Sequence, residues 1–133
     1  MPLLSLSGNR PTNLGLQKGK LAPCPTTPNC LCSQDPDPGH QIAPLTYGGS
    51  AQEGWKKLKS ILAGIGSAEI VTETKEYLYT EFTSKLLGFV DDVEFYLDAK
   101  NSVIQVRSAS RLGQSDLGAN RARIEAIRQQ LKA

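Results

Sequence analysis

The chain has 133 residues, a formal net charge of +2, 39% hydrophobic residues and 21% charged residues. That length fits one domain able to bury its own core, and the composition excludes a chain disordered throughout. The mild charge, without a basic patch interleaved with aromatics, argues against nucleic acid, and no apolar run is long enough to span a membrane.

The N-terminus, Met1-Pro2-Leu3-Leu4-Ser5-Leu6-Ser7-Gly8, lacks the basic start and apolar stretch of a secretory signal, so a cytoplasmic location is expected. All eight prolines fall at or before Pro44, and all three cysteines fall between Cys24 and Cys32. This shift in composition predicts an irregular arm over residues 1–44 and an α+β core over residues 45–133, within a single domain.

In the arm, Cys24, Cys30 and Cys32 have the spacing C-x5-C-x-C, which matches no standard zinc or redox pattern. Plain thiols are the first reading. A regulatory disulfide between Cys24 and Cys30 and a metal site completed by His40 are the alternatives. A lone loop histidine is more often solvated, and no metal or other cofactor is expected.

The core opens on a helix. Ser50-Ala51-Gln52-Glu53 has the form of a capping box, in which hydroxyl and carboxylate each satisfy a free backbone N–H. Trp55, Leu58, Leu62 and Ile65 then recur on one face, and Gly64 and Gly66 suit the end. Lys56, Lys57 and Lys59 read as a solvated face of this helix.

Four strands are predicted next, over 68–74, 77–83, 89–97 and 102–109. In the third, Val93, Phe95 and Leu97 alternate with Asp92, Glu94 and Tyr96. A turn at Asp98-Ala99-Lys100-Asn101 would place Phe95 opposite Ile104, Val93 opposite Val106, Asp92 opposite Arg107 and Glu94 opposite Gln105. Asp91 and Asp92 then point to opposite faces. Asp92 and Glu94 share a face with Arg107, which reads as a salt-bridged sheet surface rather than a catalytic pair.

The last helix is expected from Ser115 or Asp116, with Leu117, Ile124, Ile127 and Leu131 on its apolar stripe and Arg121 and Glu125 four apart on its exposed side. Asn120 falls on the apolar stripe. The expected architecture is therefore an α+β fold: a four-stranded, mostly antiparallel sheet with two helices on one face, preceded by the irregular arm.

Candidate chemistry concentrates where the last strand runs into this helix. Free N–H groups and the helix dipole favour an anion there, and arginine adds bidentate donors. Arg107, Ser108, Ser110, Arg111, Asp116, Asn120 and Arg121 are the candidate ligand-binding residues. The competing reading is a network that caps and ties the helix. The two glycines there, Gly113 and Gly118, match neither a P-loop nor a dinucleotide fingerprint. With His40 as the only histidine, no Ser–His–Asp set assembles, and no catalytic residue is assigned.

Three blocks taken together resemble a known family: Pro23-Cys24-Pro25 with Pro28-Asn29-Cys30, then Gly88-Phe89-Val90-Asp91-Asp92-Val93-Glu94-Phe95, then Arg107-Ser108-Ala109-Ser110-Arg111 with Gly113, Asp116, Gly118, Asn120 and Arg121. They look like the domain-of-unknown-function family 1499, from about Leu14 to Leu131. Cys32 departs from that pattern, where a small polar residue is usual. The resemblance implies no agreed activity. The compact, leaderless form is similar to the cyanobacterial type, and a link to the photosynthetic membrane is what that resemblance suggests.

Three functional readings follow. The first is a non-enzymatic binding or assembly module that receives an unidentified protein or a small anionic ligand on Arg107, Arg111 and Arg121, with peripheral membrane contact left open. The second is an enzyme acting on a small anionic substrate, with Asp116 or Asp92 as base. The third is a thiol-regulated protein switched at Cys24 and Cys30.

Overall fold

The computed structural model describes residues 8–85, 88–112 and 118–133. Its frame is a five-stranded antiparallel sheet in the order β3-β7-β6-β5-β4, formed by Cys30–Cys32 (β3), Ala68–Glu73 (β4), Tyr77–Thr83 (β5), Val90–Asp98 (β6) and Val103–Ser110 (β7). A separate two-stranded hairpin pairs Leu16–Gln17 (β1) with Lys20–Leu21 (β2). The helices are α1, Ala51–Ala63, and α2, Ala119–Lys132.

The predicted sheet had four strands, and the fifth comes from the arm. β3 pairs with β7, placing Cys30 opposite Ala109 and Cys32 opposite Arg107. The chain then stays on that edge: Ser33 N–H donates to the Val106 carbonyl (2.8 Å), and Leu45 and Ile104 exchange hydrogen bonds of 2.9 and 2.8 Å. The arm thus supplies the partners that β7 needs along its outer edge, as buried backbone groups require.

α1 begins as predicted. Ser50 Oγ accepts from Glu53 N–H (3.1 Å), and the Glu53 carboxylate accepts from Ser50 N–H (3.1 Å). Its apolar stripe of Trp55, Leu58 and Leu62 is buried against the sheet. Gly54 is required by close approach, because a Cβ there would overlap the Tyr47 ring. Lys57 is not merely solvated: its ammonium donates to the Leu131 carbonyl (3.0 Å) and to Ala133 O. It satisfies free carbonyls at the C-terminal end of α2, where a cation is favoured.

The β6–β7 register differs from the expected one by two residues. Asp98 pairs with Val103, so Leu97 faces Ile104, Phe95 faces Val106, Glu94 faces Arg107 and Asp92 faces Ala109. The turn has the length read from sequence but begins one residue later, over residues 99–102. Residues 99–101 form a single 3-10 turn capped by Asp98, and Ser102 closes it in the left-handed region at φ 56°. An even shift leaves every side chain on its expected face.

The two faces are covered differently. Leu78, Val93, Phe95, Ile104 and Val106 pack under α1 and α2 with Leu45, Leu58, Leu62, Ile124 and Ile127. Full burial of each such side chain contributes about 1.5–3 kcal/mol. On the opposite face Tyr77, Tyr79 and Cys32 pack with Leu21, and Leu14, Leu16 and Cys24 of the arm border them. The expected salt-bridged surface is therefore an interior layer: Asp92, Glu94 and Arg107 are 1%, 0% and 3% exposed. Among the described residues no helix is long and apolar enough to cross a membrane.

Candidate functional site

The expected binding residues divide between the two faces. Because β7 alternates, Ser108 and Ser110 face the helices, while Arg107 and Arg111 face the arm. Asp116 lies outside the described residues. The expected helix start at Ser115 or Asp116 also lies outside the described residues; α2 is described from Ala119, after Gly118 in the left-handed region at φ 83°. Arg121 stands apart from both groups and donates to the Gln41 carbonyl (3.4 Å). Glu125 pairs with Arg128 (3.0 Å) rather than with Arg121.

On the arm face Arg111 is the hub. Its guanidinium donates to both Asp92 oxygens (2.9 and 2.8 Å), to Glu81 (2.5 Å) and to Tyr79 Oη (3.2 Å). Arg10 of the arm reaches the same Glu81 carboxylate (2.8 Å). Arg10, together with Tyr79 and Arg111, holds the Glu81 carboxyl down to about 2.

Glu94 is set differently. One oxygen accepts from Tyr77 Oη (2.6 Å) and from the backbone N–H of Gly15 (2.8 Å). The other lies 3.7 Å from Arg107, wider than a hydrogen bond. Burial pushes the Glu94 carboxyl up despite these partners, and burial together with the bond to Glu94 raises the Tyr77 phenol.

On the helix face Asn120 explains its place on the apolar stripe. Fully buried, it accepts from Ser108 Oγ (2.6 Å) and Arg123 (2.8 Å), and donates to Ser110 Oγ (3.0 Å) and the Asn29 carbonyl (3.2 Å). Asn29 in turn donates to the Ser110 carbonyl (2.9 Å). This knot fastens α2 to β7 and to the arm, as a buried amide must be satisfied on both its ends.

Beside the knot lies a cleft of about 870 Å³ between α2, the start of β6 and the end of β5. Phe82, Val90, Ala126 and Ile127 contribute apolar walls, and Phe89 and Leu112 stand at its mouth. Those two are the exposed large hydrophobic residues among the described ones, at 40% and 41%. Each extends the helix-side alternation of its strand by one step, past the area that α2 covers. Arg123 forms part of the wall: it pairs with Asp91 (2.6 Å) and stacks over the Phe82 ring, 4.8 Å from its centroid. Of the expected binding residues, Ser110 lines this cleft.

Phe82, Phe89, Leu112 and Arg123 of this cleft are not among the candidate binding residues that the sequence singles out. A strand pattern marks which face a residue takes, not how far a helix extends over that face.

Cys24 and Cys30 form a disulfide with Cα atoms 5.6 Å apart, in place of the plain thiols of the first reading. Cys32 is a buried free thiol whose titration burial pushes up. His40 is buried rather than solvated. Its Nδ1 lies 2.9 Å from the Cys30 carbonyl, which can only accept, so Nδ1 carries the proton. Among the described residues no cluster of His, Cys, Asp or Glu is arranged to hold a metal ion.

Fold and cleft together define a small α+β domain with an apolar pocket at one end of its helix face. The chain belongs to the family described as "Protein of unknown function (DUF1499)", which matches residues 20–131. No curated protein and no solved structure matches it.

Proposed function

We propose that this protein is a non-catalytic binding module that holds a small amphipathic molecule in the cleft between α2 and β6. One observation carries the reading: the exposed Phe89 and Leu112 both stand at the mouth of a cleft of about 870 Å³. Ligand pockets are largely apolar, with a few placed polar groups, and fall in the range of roughly 300–1,000 Å³. The charged pair in the lining, Asp91 and Arg123, is already joined, which favours holding a ligand over transforming it.

The ligand is placed here and not on Arg107 and Arg111, which meet carboxylates on the opposite face. The neutral dye Nile red tests the cleft. The wild-type chain should raise its fluorescence, and Phe89→Asp should abolish the rise while leaving the circular dichroism unchanged. Equal uptake by the variant would place any apolar site elsewhere.

The Cys24–Cys30 disulfide favours a second reading, in which a dithiol reductant opens the bond with two electrons and two protons and loosens the arm. Thiol counting at defined potentials tests it. A bond that stays closed at every potential down to that of thioredoxin would exclude a switch.

A further inference from the structure

Among the described residues the cleft has one charged group without an ion-pair partner. Its lining contains one acid, Asp91, and Asp91 is paired with Arg123 at 2.6 Å. Lys85, just beyond the end of β5, also lines the cleft, is exposed and has no ion-pair partner among the described residues. Beside it, Ser84 Oγ accepts from Phe89 N–H (3.0 Å), an interaction that leaves the hydroxyl proton available to donate. An unpaired ammonium and a hydroxyl donor therefore sit next to walls made by Phe82, Phe89 and Ile127.

Resting on the proposed use of this cleft, we infer that the ligand is a single-chain amphiphile with an anionic head. The head meets the Lys85 ammonium and the Ser84 hydroxyl, and the hydrocarbon chain lies against Phe82, Phe89 and Ile127. Charge complementarity fixes the sign. A cationic head would face Lys85 with like charge, and a neutral head would leave the ammonium without a counter-charge once the chain covers it.

A carboxylate and a phosphate satisfy this chemistry alike, so fatty acids and phosphate-headed lipids are its two sources. Calorimetric titration of the full chain compares dodecanoate, dodecyl phosphate, dodecanol and dodecyltrimethylammonium below their micelle concentrations. Both anions should bind about tenfold or more tighter than dodecanol, as a charge-assisted hydrogen bond provides, and the cation should bind weakest. Lengthening the chain from decanoate to dodecanoate should tighten binding further, by up to about fourfold per methylene. Lys85→Gln should remove the preference for anions over dodecanol, and Lys85→Arg should keep it. The tighter of the two anions identifies the source.

Dodecanol binding as tightly as dodecanoate, with Nile red uptake still abolished by Phe89→Asp, would overturn the anionic head and leave the apolar cleft standing. Failure of every amphiphile, with a dimer that Phe89→Asp converts to a monomer, would overturn both, because the face would then join two copies of the chain.

Discussion

The two faces of the sheet are both buried, and by opposite chemistry. The helix face is closed by Leu, Val, Ile and Phe, whose burial is non-directional and tolerates an uncovered margin. The arm face is closed by Tyr77, Tyr79, Glu81, Asp92, Glu94, Arg107 and Arg111, whose burial is tolerable only when each charge meets a partner. The comparison teaches where to look for a ligand. The charged side that drew attention in the sequence is paired at Arg111 and closed more loosely at Glu94 and Arg107, 3.7 Å apart, and the apolar side has an open margin at Phe89 and Leu112.

Breaking the arm face at its hub should have the largest effect. Arg111→Ala leaves the buried Asp92 carboxylate without its guanidinium and Glu81 with Arg10 alone, and should cost about 3–5 kcal/mol in urea unfolding. A change within error would show that the network contributes little. The knot on the helix face comes next. Asn120→Ala removes the acceptor of the buried Ser108 hydroxyl and one donor each to Ser110 Oγ and the Asn29 carbonyl, and should cost about 2–3 kcal/mol by the same measurement.

Replacing Cys24 and Cys30 by serine should cost about 2 kcal/mol, the chain-entropy value for so short a loop. Thermal unfolding with and without reductant checks this independently. The acid dependence should be milder and comes from the arm face. The Glu81 carboxyl is depressed from 4.5 to about 2, so its contribution is complete above pH 4.5 and is lost as pH falls toward 2. Glu94 acts in the opposite sense: its raised carboxyl favours the folded state at low pH and loses that contribution as pH rises through its folded value. Glu81→Gln should flatten the stability curve below pH 4.5, and Glu94→Gln should remove the fall in stability that Glu94 causes above pH 4.5.

Much of the frame was legible in the sequence, because local chemistry determines it. The capping box at Ser50 and Glu53, the Trp55–Leu58–Leu62 stripe and the alternation of Val93, Phe95 and Leu97 each specify an element within a few residues. The β6–β7 register was not legible, since alternation is unchanged by a shift of two and only the left-handed Ser102 decides between the alternatives. Nor was β3, three residues inside a proline-rich arm with no periodicity to read.

The same gap hid the arm-face layer. Asp92, Glu94 and Arg107 carry a surface pattern and are buried because a distant segment lies over them. For the candidate cleft the sequence led to the turn after β7 and to Ser110, while Arg107 and Arg111, which it also singled out, face the arm on the other side of the sheet. The cleft depends on how much of Phe89 and Leu112 α2 leaves uncovered, which is a property of tertiary packing alone.

The central claim is that ligand enters on the helix face and that the arm face is closed. Amide chemical shifts of the full chain during titration with dodecanoate test it most directly. The account predicts perturbations at Phe82, Lys85, Phe89, Leu112 and Ala126, with Gly15, Tyr77 and Arg107 unmoved. Perturbations centred on Gly15, Tyr77 and Arg107 would contradict it.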